Sequence, residues 1–204
     1  MHFLFDLDST ITKTEILPFI ATEAGCDKTI ISKLDEMTLK SMNGELPFEV
    51  NFRKRVNMLS HLPIQKIQKI VSTIPLHKNI CNFLQKYKKQ CSIITSNLDI
   101  WIKTLVENLG INCYSSKAQI DKTYIQEIEI IRKKDVLKNF KTHVIAIGDG
   151  SNDVELLDCA LIGIAYGGAR KKLPDSLLEV ANYAIYSEKS LCILLQQILN
   201  NKGN

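Results

Sequence analysis

The chain has 204 residues, of which 45% are hydrophobic and 24% are charged, and its formal net charge is +4. This length provides for one substantial core with room for a modest inserted subdomain, and the composition is that of an ordinary soluble globular protein. The basic residues are spread along the chain, which weakly favours a small anionic substrate and argues against nucleic acid as a partner.

The cysteines lie far apart, without a Cys-x-x-Cys pair or neighbouring histidines. They are Cys26, Cys81, Cys91, Cys113, Cys159 and Cys192. Reduced, mostly buried thiols are therefore expected, rather than disulfides or a zinc site.

No apolar run approaches the roughly 18 residues that span a bilayer, and the sequence enters its first strand without room for a signal peptide. We therefore expect a cytoplasmic protein with no membrane partner. The sequence does not indicate an oligomeric state.

The first predicted element is a short apolar strand at residues 3–5 that ends in Asp6 and Asp8. Side chains two positions apart in a strand share a face, so both carboxylates could point the same way where the strand stops. Such a pair could hold a cation, or could act as a nucleophile beside an acid or base.

Four amphipathic helices are predicted next, with no strand between them. Apolar residues recur at helical spacing over about sixty residues. Gly25 and Gly44 suit helix ends, whereas Asp27, Pro47 and Pro63 suit helix starts. This pattern predicts a small helical bundle inserted after the first strand.

After residue 74 the pattern alternates between helix and strand, which predicts a parallel sheet with helices on both faces. The later strands are predicted at 91–95, near 113, and at 144–147, 161–165 and 183–185, and the helices at 77–89, 98–109, 133–140 and 188–199. Residues 117–130 fit either a hairpin around Asp121 and Lys122 or the start of a helix.

Three strand ends carry acidic or polar side chains. Asp6 and Asp8 end the first strand, Thr-Ser-Asn at 95–97 ends the second, and Gly-Asp-Gly-Ser-Asn-Asp at 148–153 follows the strand at 144–147. Parallel sheets bind ligands at the carboxyl ends of their strands, where the strand order reverses.

Gly-Asp-Gly alone is a common turn, but four neighbouring carboxylates repel each other unless a cation compensates them. Oxygen ligands without clustered His or Cys favour magnesium over zinc.

Phosphate is the partner that such a magnesium site prefers, and the sequence offers donors for it. Thr95 would supply a hydroxyl, the turn after it backbone N–H groups, and a lysine within 132–134 a positive charge. That basic triplet could equally be the solvated start of a helix.

Four ordered motifs together resemble those of the haloacid dehalogenase superfamily. They are Asp6-Leu7-Asp8-Ser9-Thr10, Ile94-Thr95, Lys133 sixteen positions before Asp149, and the Gly-Asp-Gly-Ser-Asn-Asp segment. The helical insertion extends the resemblance to the cap of the phosphoserine phosphatase family. The shared cap features are Glu15, Ala24-Gly25, Met42, Gly44, Phe48 and Arg-Lys-Arg-Val at 53–56. The resemblance implies a Rossmann-like α/β core of residues 1–13 and 75–204, with a four-helix cap over 14–74.

The resemblance also implies a Mg²⁺-dependent phosphomonoesterase that works through an aspartyl-phosphate intermediate. Its substrate would be a small phosphorylated metabolite, and phosphoserine is the leading candidate. Asp6 would be the nucleophile, and Asp8 would protonate the leaving alcohol and then activate water. Thr95 and Lys133 would hold the phosphoryl oxygens.

The implied Mg²⁺ ligands are Asp6, the backbone carbonyl of Asp8, and Asp149, with Asp153 supporting them from behind. The predicted substrate contacts are Glu15, Met42, Phe48, Arg55, Ser96, Asn97 and Asn152.

Arg55 lies two helical turns after Phe48, so both would project from nearly the same side of the third helix. A guanidinium beside an apolar wall suits a small substrate with a carboxylate, and by resemblance Glu15 would meet its amino group. Arg55 could instead be solvated, and Phe48 and Met42 could be core residues of the bundle.

Ser96 and Asn97 stand where phosphoserine phosphatases have two glycines, which permit the closest approach of the backbone to an anion. A phosphatase of a sugar or polyol phosphate is therefore an alternative. A catalytically silent phosphate-binding module is a further alternative, although it would need few of the six motif residues.

Overall fold

The computed structural model describes residues 1–121, 124–169 and 172–200. Within them one seven-stranded sheet has the order β4-β3-β2-β1-β5-β6-β7. The strands are β1 His2–Asp6, β2 Cys91–Leu98, β3 Asn112–Asp121, β4 Tyr124–Glu129, β5 Val144–Gly148, β6 Ile162–Tyr166 and β7 Tyr183–Ile185. Only β4 is antiparallel to its neighbour. The predicted α/β fold with a largely parallel sheet is confirmed.

The helices are α1 Ile16–Ala24, α2 Lys28–Met42, α3 Phe48–Leu59, α4 Ile64–Val71, α5 Lys78–Lys86, α6 Asp99–Leu109, α7 Val154–Cys159, α8 Asp175–Val180 and α9 Glu188–Asn200. Short 3-10 helices occupy Lys88–Gln90, Lys133–Asn139 and Ser151–Asp153. Helices α1 and α6 end at Gly25 and Gly110, as predicted. None of the helices in the described ranges has the length and apolar character needed to cross a membrane.

The central strands are buried on both faces, which explains why their sequences are continuous apolar runs rather than alternating patterns. Phe3 and Phe5 pack into one apolar cluster, whereas Leu4 between them packs into a second cluster. Successive side chains of a strand point to opposite faces. A core therefore lies on each side of the sheet.

Helices α1 to α4 lie between β1 and α5, where the sequence predicts the helical insertion. Their buried residues Ile16, Leu34, Phe52 and Ile67 belong to the same cluster as Phe3. The two chain segments that enter and leave these helices meet in an antiparallel bridge between Thr12 and Leu76. The predicted subdomain boundaries, at 13/14 and 74/75, fall next to this bridge, although the helices share their core with the sheet.

The structure resolves the ambiguity at residues 117–130 in favour of a hairpin. Ala118 of β3 pairs with Ile128 of β4, so the helical interpretation is wrong. Lys122, at the predicted turn, lies outside the described residues.

Two predicted elements differ in detail from the structure. The predicted helix at 133–140 is a 3-10 helix over Lys133–Asn139, and its first residue contacts the buried carboxylates of Asp6 and Asp153. Strand β2 continues to Leu98 rather than ending at Thr95, with an irregular register between those residues.

All six cysteines are free thiols, as predicted. The expectation that most of them are buried is wrong, since Cys91 is buried, Cys159 is exposed and the other four are half-buried. These half-buried positions lie at the margins of the core clusters rather than within them.

Candidate active site

The strand order places the site at the carboxyl end of β1. Strand β1 lies between β2 and β5, and the chain builds outward from it in both directions, so the order reverses there. Asp6, the last residue of β1, pairs with Ile94 of β2, and Phe5 pairs with Ile147 of β5. Thr95 and Asp149 follow these two partners closely in sequence, so the register brings three distant motifs to one edge of the sheet.

Lys133 is the cation at the centre of the site. Its Nζ lies 2.5 Å from Oδ1 of Asp6 and 2.6 Å from Oδ1 of Asp153, and all three side chains are almost completely buried. The second oxygen of Asp153 accepts hydrogen bonds from the backbone N–H groups of Asp149 and Gly150, each at 3.2 Å. Asp153 therefore fixes both the lysine and the loop after β5. The alternative of a solvated Lys133 is wrong.

Gly148 leaves the space that this arrangement needs. A Cβ atom at this position would lie 2.5 Å from Cγ of Asp153. Because that carboxylate is held by three donors, it cannot move aside without losing hydrogen bonds. A side chain at position 148 would thus displace the carboxylate that supports the lysine.

The site has a donor set that fits Mg²⁺. Asp6, Asp149 and Asp153 are buried and each offers a carboxylate oxygen, and these oxygens lie within 4.8 Å of one another. Hard oxygen ligands are those that Mg²⁺ prefers. Both oxygens of Asp153 are already engaged by protein donors, so its position suits support better than direct coordination.

Burial and charge act together on the ionisable groups of the site. Burial raises the pKa of Asp6 well above its usual range, Lys133 opposes this shift, and the carboxylates of Asp153 and Asp149 add to it. Burial alone would lower the pKa of Lys133, but Asp153 and Asp6 outweigh it, so the lysine pKa is raised. Lys133 therefore remains a cation that compensates the buried carboxylates.

Asp8 lies just beyond β1 and is held by three donors. Its Oδ1 accepts from the backbone N–H of Ile16 at 2.9 Å. Its Oδ2 accepts from the hydroxyl of Thr95 at 3.3 Å and from the side-chain amide of Asn97. Burial and the nearby carboxylate of Glu15 raise the pKa of Asp8 to about 6. A carboxyl group with this pKa can both give and take a proton near neutral pH.

The turn after β1 sets the position of Asp8. Ser9 has a positive φ of 53°, and its backbone N–H donates to Oγ1 of Thr12 at 3.0 Å. The hydroxyl of Ser9 donates to Oε1 of Glu15 at 2.6 Å. Ser9 and Thr12 thus form the turn that follows β1, and Ser9 also orients Glu15.

A small cavity of about 30 Å³ lies above Asp6 and Asp8. All seven predicted substrate contacts line it, and the full lining is Asp6, Asp8, Glu15, Leu17, Met42, Phe48, Phe52, Arg55, Ser96, Asn97 and Asn152. Leu17 and Phe52 were not predicted as lining residues. Phe52 lies one helical turn after Phe48, which is a usable sequence signal, whereas no sequence signal marks Leu17.

Helix α2 closes one side of this cavity against the loop after β5. The hydroxyl of Ser151 donates to the backbone carbonyl of Ser41 at 2.7 Å. The side chain of Met42 lies where a Cβ of Gly150 would be. The inserted helices and the loop after β5 are therefore in direct contact.

Arg55 is buried, with 3% of its surface exposed, so the alternative of a solvated residue is wrong. Its Nη1 donates to Oγ1 of Thr38 at 3.1 Å, and Nε is buried without a hydrogen-bond partner among the described residues. Burial lowers the pKa of Arg55, while the carboxylates of Glu15 and Asp8 oppose that shift. The guanidinium of Arg55 thus lies near two carboxylates of the cavity lining, those of Glu15 and Asp8.

Comparison with known proteins agrees with this geometry. The sequence model of the haloacid dehalogenase-like hydrolases matches residues 3–158. The chain belongs to this family. The predicted resemblance to phosphoserine phosphatases is confirmed, and so is the predicted enzyme class, a phosphoric monoester hydrolase.

Individual relatives of this haloacid dehalogenase-like hydrolase share about a quarter of its residues. It is 28% identical to the phosphoserine phosphatase of Methanocaldococcus jannaschii, over 80% of this chain and 83% of that protein. It is 27% identical to the phosphoserine phosphatase of Archaeoglobus fulgidus, over 84% of this chain and 54% of that protein. A solved structure described as a phospho-aspartyl intermediate analogue of phosphoserine phosphatase has a TM-score of 0.74 and 25% identity, and the match covers 91% of this chain and 92% of that one.

Replacement of Lys133 should destabilise this family member strongly. Lys133→Met leaves the buried carboxylates of Asp6 and Asp153 without the cation that they contact, and we expect the free energy of unfolding to fall by about 3–5 kcal/mol. The matched control is Lys134→Met, which removes a partly exposed pair with Glu155 and should cost at most about 1 kcal/mol. Urea unfolding in EDTA measures both variants. Equal effects would show that the lysine does not hold the acidic cluster together.

Proposed function

We propose that the chain is a Mg²⁺-dependent phosphomonoesterase that forms an aspartyl-phosphate on Asp6, with phosphoserine as the leading substrate. One observation carries this proposal. A carboxylate fixed by a buried lysine lies on the same cavity as Asp8, whose pKa is raised to about 6. Nucleophile and proton carrier are thus separate groups in one site, which is what transfer through a covalent intermediate requires.

The residues have distinct parts in the proposed reaction. An oxygen of Asp6 bonds to phosphorus while the ester P–O bond breaks, and Asp8 gives its proton to the departing alcohol. Water then attacks phosphorus, Asp8 takes its proton, and phosphate and the free Asp6 carboxylate result. Lys133 lowers the repulsion between Asp6 and the phosphate, and Thr95 can turn its hydroxyl to a phosphoryl oxygen.

The Mg²⁺ site of the proposal consists of Asp6, Asp149 and the backbone carbonyl of Asp8, supported by Asp153. Bound there, Mg²⁺ would neutralise negative charge on the phosphoryl oxygens. The proposal is supported by the three buried carboxylates that lie within reach of one ion.

Two charged residues support an amino-acid substrate. Arg55 has a buried Nε without a partner among the described residues, which suits a substrate carboxylate. Glu15, on the same cavity, suits an ammonium group. The relatives named phosphoserine phosphatase add support for this substrate.

We further propose that residues 14–74 act as a cap over the core formed by 1–13 and 75–204. The contact of Ser151 with Ser41 and the bridge between Thr12 and Leu76 support this division. The cavity is lined by residues of both parts, such as Arg55 from the helices and Asp6 from the core. A phosphate ester bound there would therefore contact the cap and the core together.

A second candidate substrate is a sugar or polyol phosphate. The observation in its favour lies in β2, where the backbone N–H of Asn97 donates to Oγ1 of Thr95 at 3.1 Å. That N–H is therefore engaged by the protein, although the sequence predicts that the turn offers its N–H groups to phosphate. The anion site consequently differs from one built on two glycines.

Replacement of the proposed nucleophile should remove catalysis but leave the fold intact. We expect Asp6→Asn to lose all detectable hydrolysis of p-nitrophenyl phosphate, because an amide cannot attack phosphorus. The wild type should lose the same activity in EDTA. Asp158→Asn, at an exposed position on α7, is the control and should retain wild-type rates. Mg²⁺-dependent turnover by a folded Asp6→Asn protein would exclude the mechanism.

Replacement of Arg55 should distinguish a carboxylated substrate from a simple ester. Arg55→Ala should raise KM for phosphoserine by about tenfold or more, since a charge-assisted contact is lost, with little change for p-nitrophenyl phosphate. Lys54→Ala, exposed on the same helix, should change neither KM. Equal effects on both substrates would remove Arg55 from the substrate site.

A screen of phosphorylated metabolites with the purified protein and Mg²⁺ decides between the candidate substrates. We expect phosphoserine to give the highest kcat/KM, because the cavity offers partners for both its carboxylate and its ammonium group. A higher value for a sugar or polyol phosphate would favour the second candidate. Absence of hydrolysis across the panel would contradict the proposed activity itself.

A further inference from the structure

Ser96 and Asn97 form a bulge in β2. Thr95 pairs with Ser115 of β3, but the next paired residue of β2, Leu98, pairs with the next residue of β3, Ser116. Two residues of β2 are therefore extra relative to β3. Bulges next to active sites turn side chains away from the regular strand direction.

Ser116 anchors this bulge from the neighbouring strand. Its hydroxyl donates to the backbone carbonyl of Ser96 at 2.8 Å and accepts from the N–H of Ile131 at 3.2 Å. The backbone N–H of Asn97 is fixed by Oγ1 of Thr95. Hydrogen bonds therefore fix the backbone of the bulge at both Ser96 and Asn97. This fixes the direction in which the side chain of Asn97 leaves the strand.

That side chain reaches the proton carrier of the proposed reaction. Nδ2 of Asn97 donates to Oδ2 of Asp8, and the asparagine is 3% exposed. The amide nitrogen of Asn97 is only a donor, and Oδ2 of Asp8 accepts from it. A glycine at this position would leave Oδ2 of Asp8 without this donor.

We infer that Asn97 is a positioning residue that holds Asp8 in place for proton transfer to the leaving group, an inference that rests on the proposed function. The two other donors to Asp8 are the backbone N–H of Ile16 and the hydroxyl of Thr95, and they differ from Asn97 in which oxygen they contact or in what else they can bind. Ile16 holds the opposite oxygen, and Thr95 has a single hydroxyl hydrogen that a phosphoryl oxygen would compete for. When the substrate takes the hydrogen of Thr95, Asn97 is the donor that keeps Oδ2 of Asp8 oriented.

This role predicts sensitivity to the leaving group rather than a general loss of activity. Phenyl phosphate and p-nitrophenyl phosphate have nearly the same shape, but phenolate is the stronger base and needs proton transfer from Asp8 more. We expect Asn97→Ala to lower kcat/KM for phenyl phosphate by at least about tenfold, with a change of less than about threefold for p-nitrophenyl phosphate. The parameter kcat/KM reports the steps up to the first irreversible one, so phosphoenzyme hydrolysis does not obscure the comparison.

Two further variants make the test decisive. Asn97→Leu keeps most of the volume and removes the amide, so it should show the same leaving-group selectivity even if Asn97→Ala folds poorly. Asn108→Ala, at an exposed position on α6, should leave the ratio of the two substrates unchanged.

The possible outcomes separate the inference from the proposed function. Equal losses on both esters would mean that Asn97 binds phosphate or only maintains the bulge, and no loss would mean that Asp8 does not need it. Either result overturns the inference while the wild type remains an active phosphatase. A wild type that hydrolyses neither ester would instead overturn the proposed function, and the inference with it.

Discussion

The burial of two carboxylates against one lysine, with a third carboxylate close by, is the constraint on which the rest of the site depends. Asp6 and Asp153 both contact Lys133, and Asp149 lies within reach of the same ion site. Unpaired carboxylates in such a place would be protonated or would destabilise the fold. The lysine allows them to stay together, and the backbone N–H groups that bind Asp153 fix the geometry. The lysine and these N–H groups thus hold the carboxylates together.

The parallel sheet supplies this arrangement from segments far apart in the chain. Strands β1, β2 and β5 are neighbours, and each ends at the same edge. Because both faces of these strands are packed into apolar clusters, a shift of register would move buried side chains out of their places. The packing of the core therefore also fixes the distances between Asp6, Thr95 and Asp149.

The inserted helices give the site its selectivity rather than its chemistry in the proposed mechanism. They contribute Arg55 and Phe48 to the lining of the cavity that Asp6 and Asp8 also line. Their apolar residues belong to the same cluster as one face of the sheet. A buried guanidinium is costly unless an anion meets it, and the carboxylates of Glu15 and Asp8 supply part of the compensating charge.

The sequence by itself determined the α/β class, the helical insertion and the motifs at the strand ends, because apolar periodicity and residue chemistry are local properties. It also indicated the residues that line the cavity through their resemblance to a known family. Only the tertiary structure decided that Arg55 is buried, that Lys133 lies in a 3-10 helix, and that Asn97 contacts Asp8. These features depend on pairing with residues far away in the chain, such as Ser116 opposite the bulge, and no local pattern encodes such pairing.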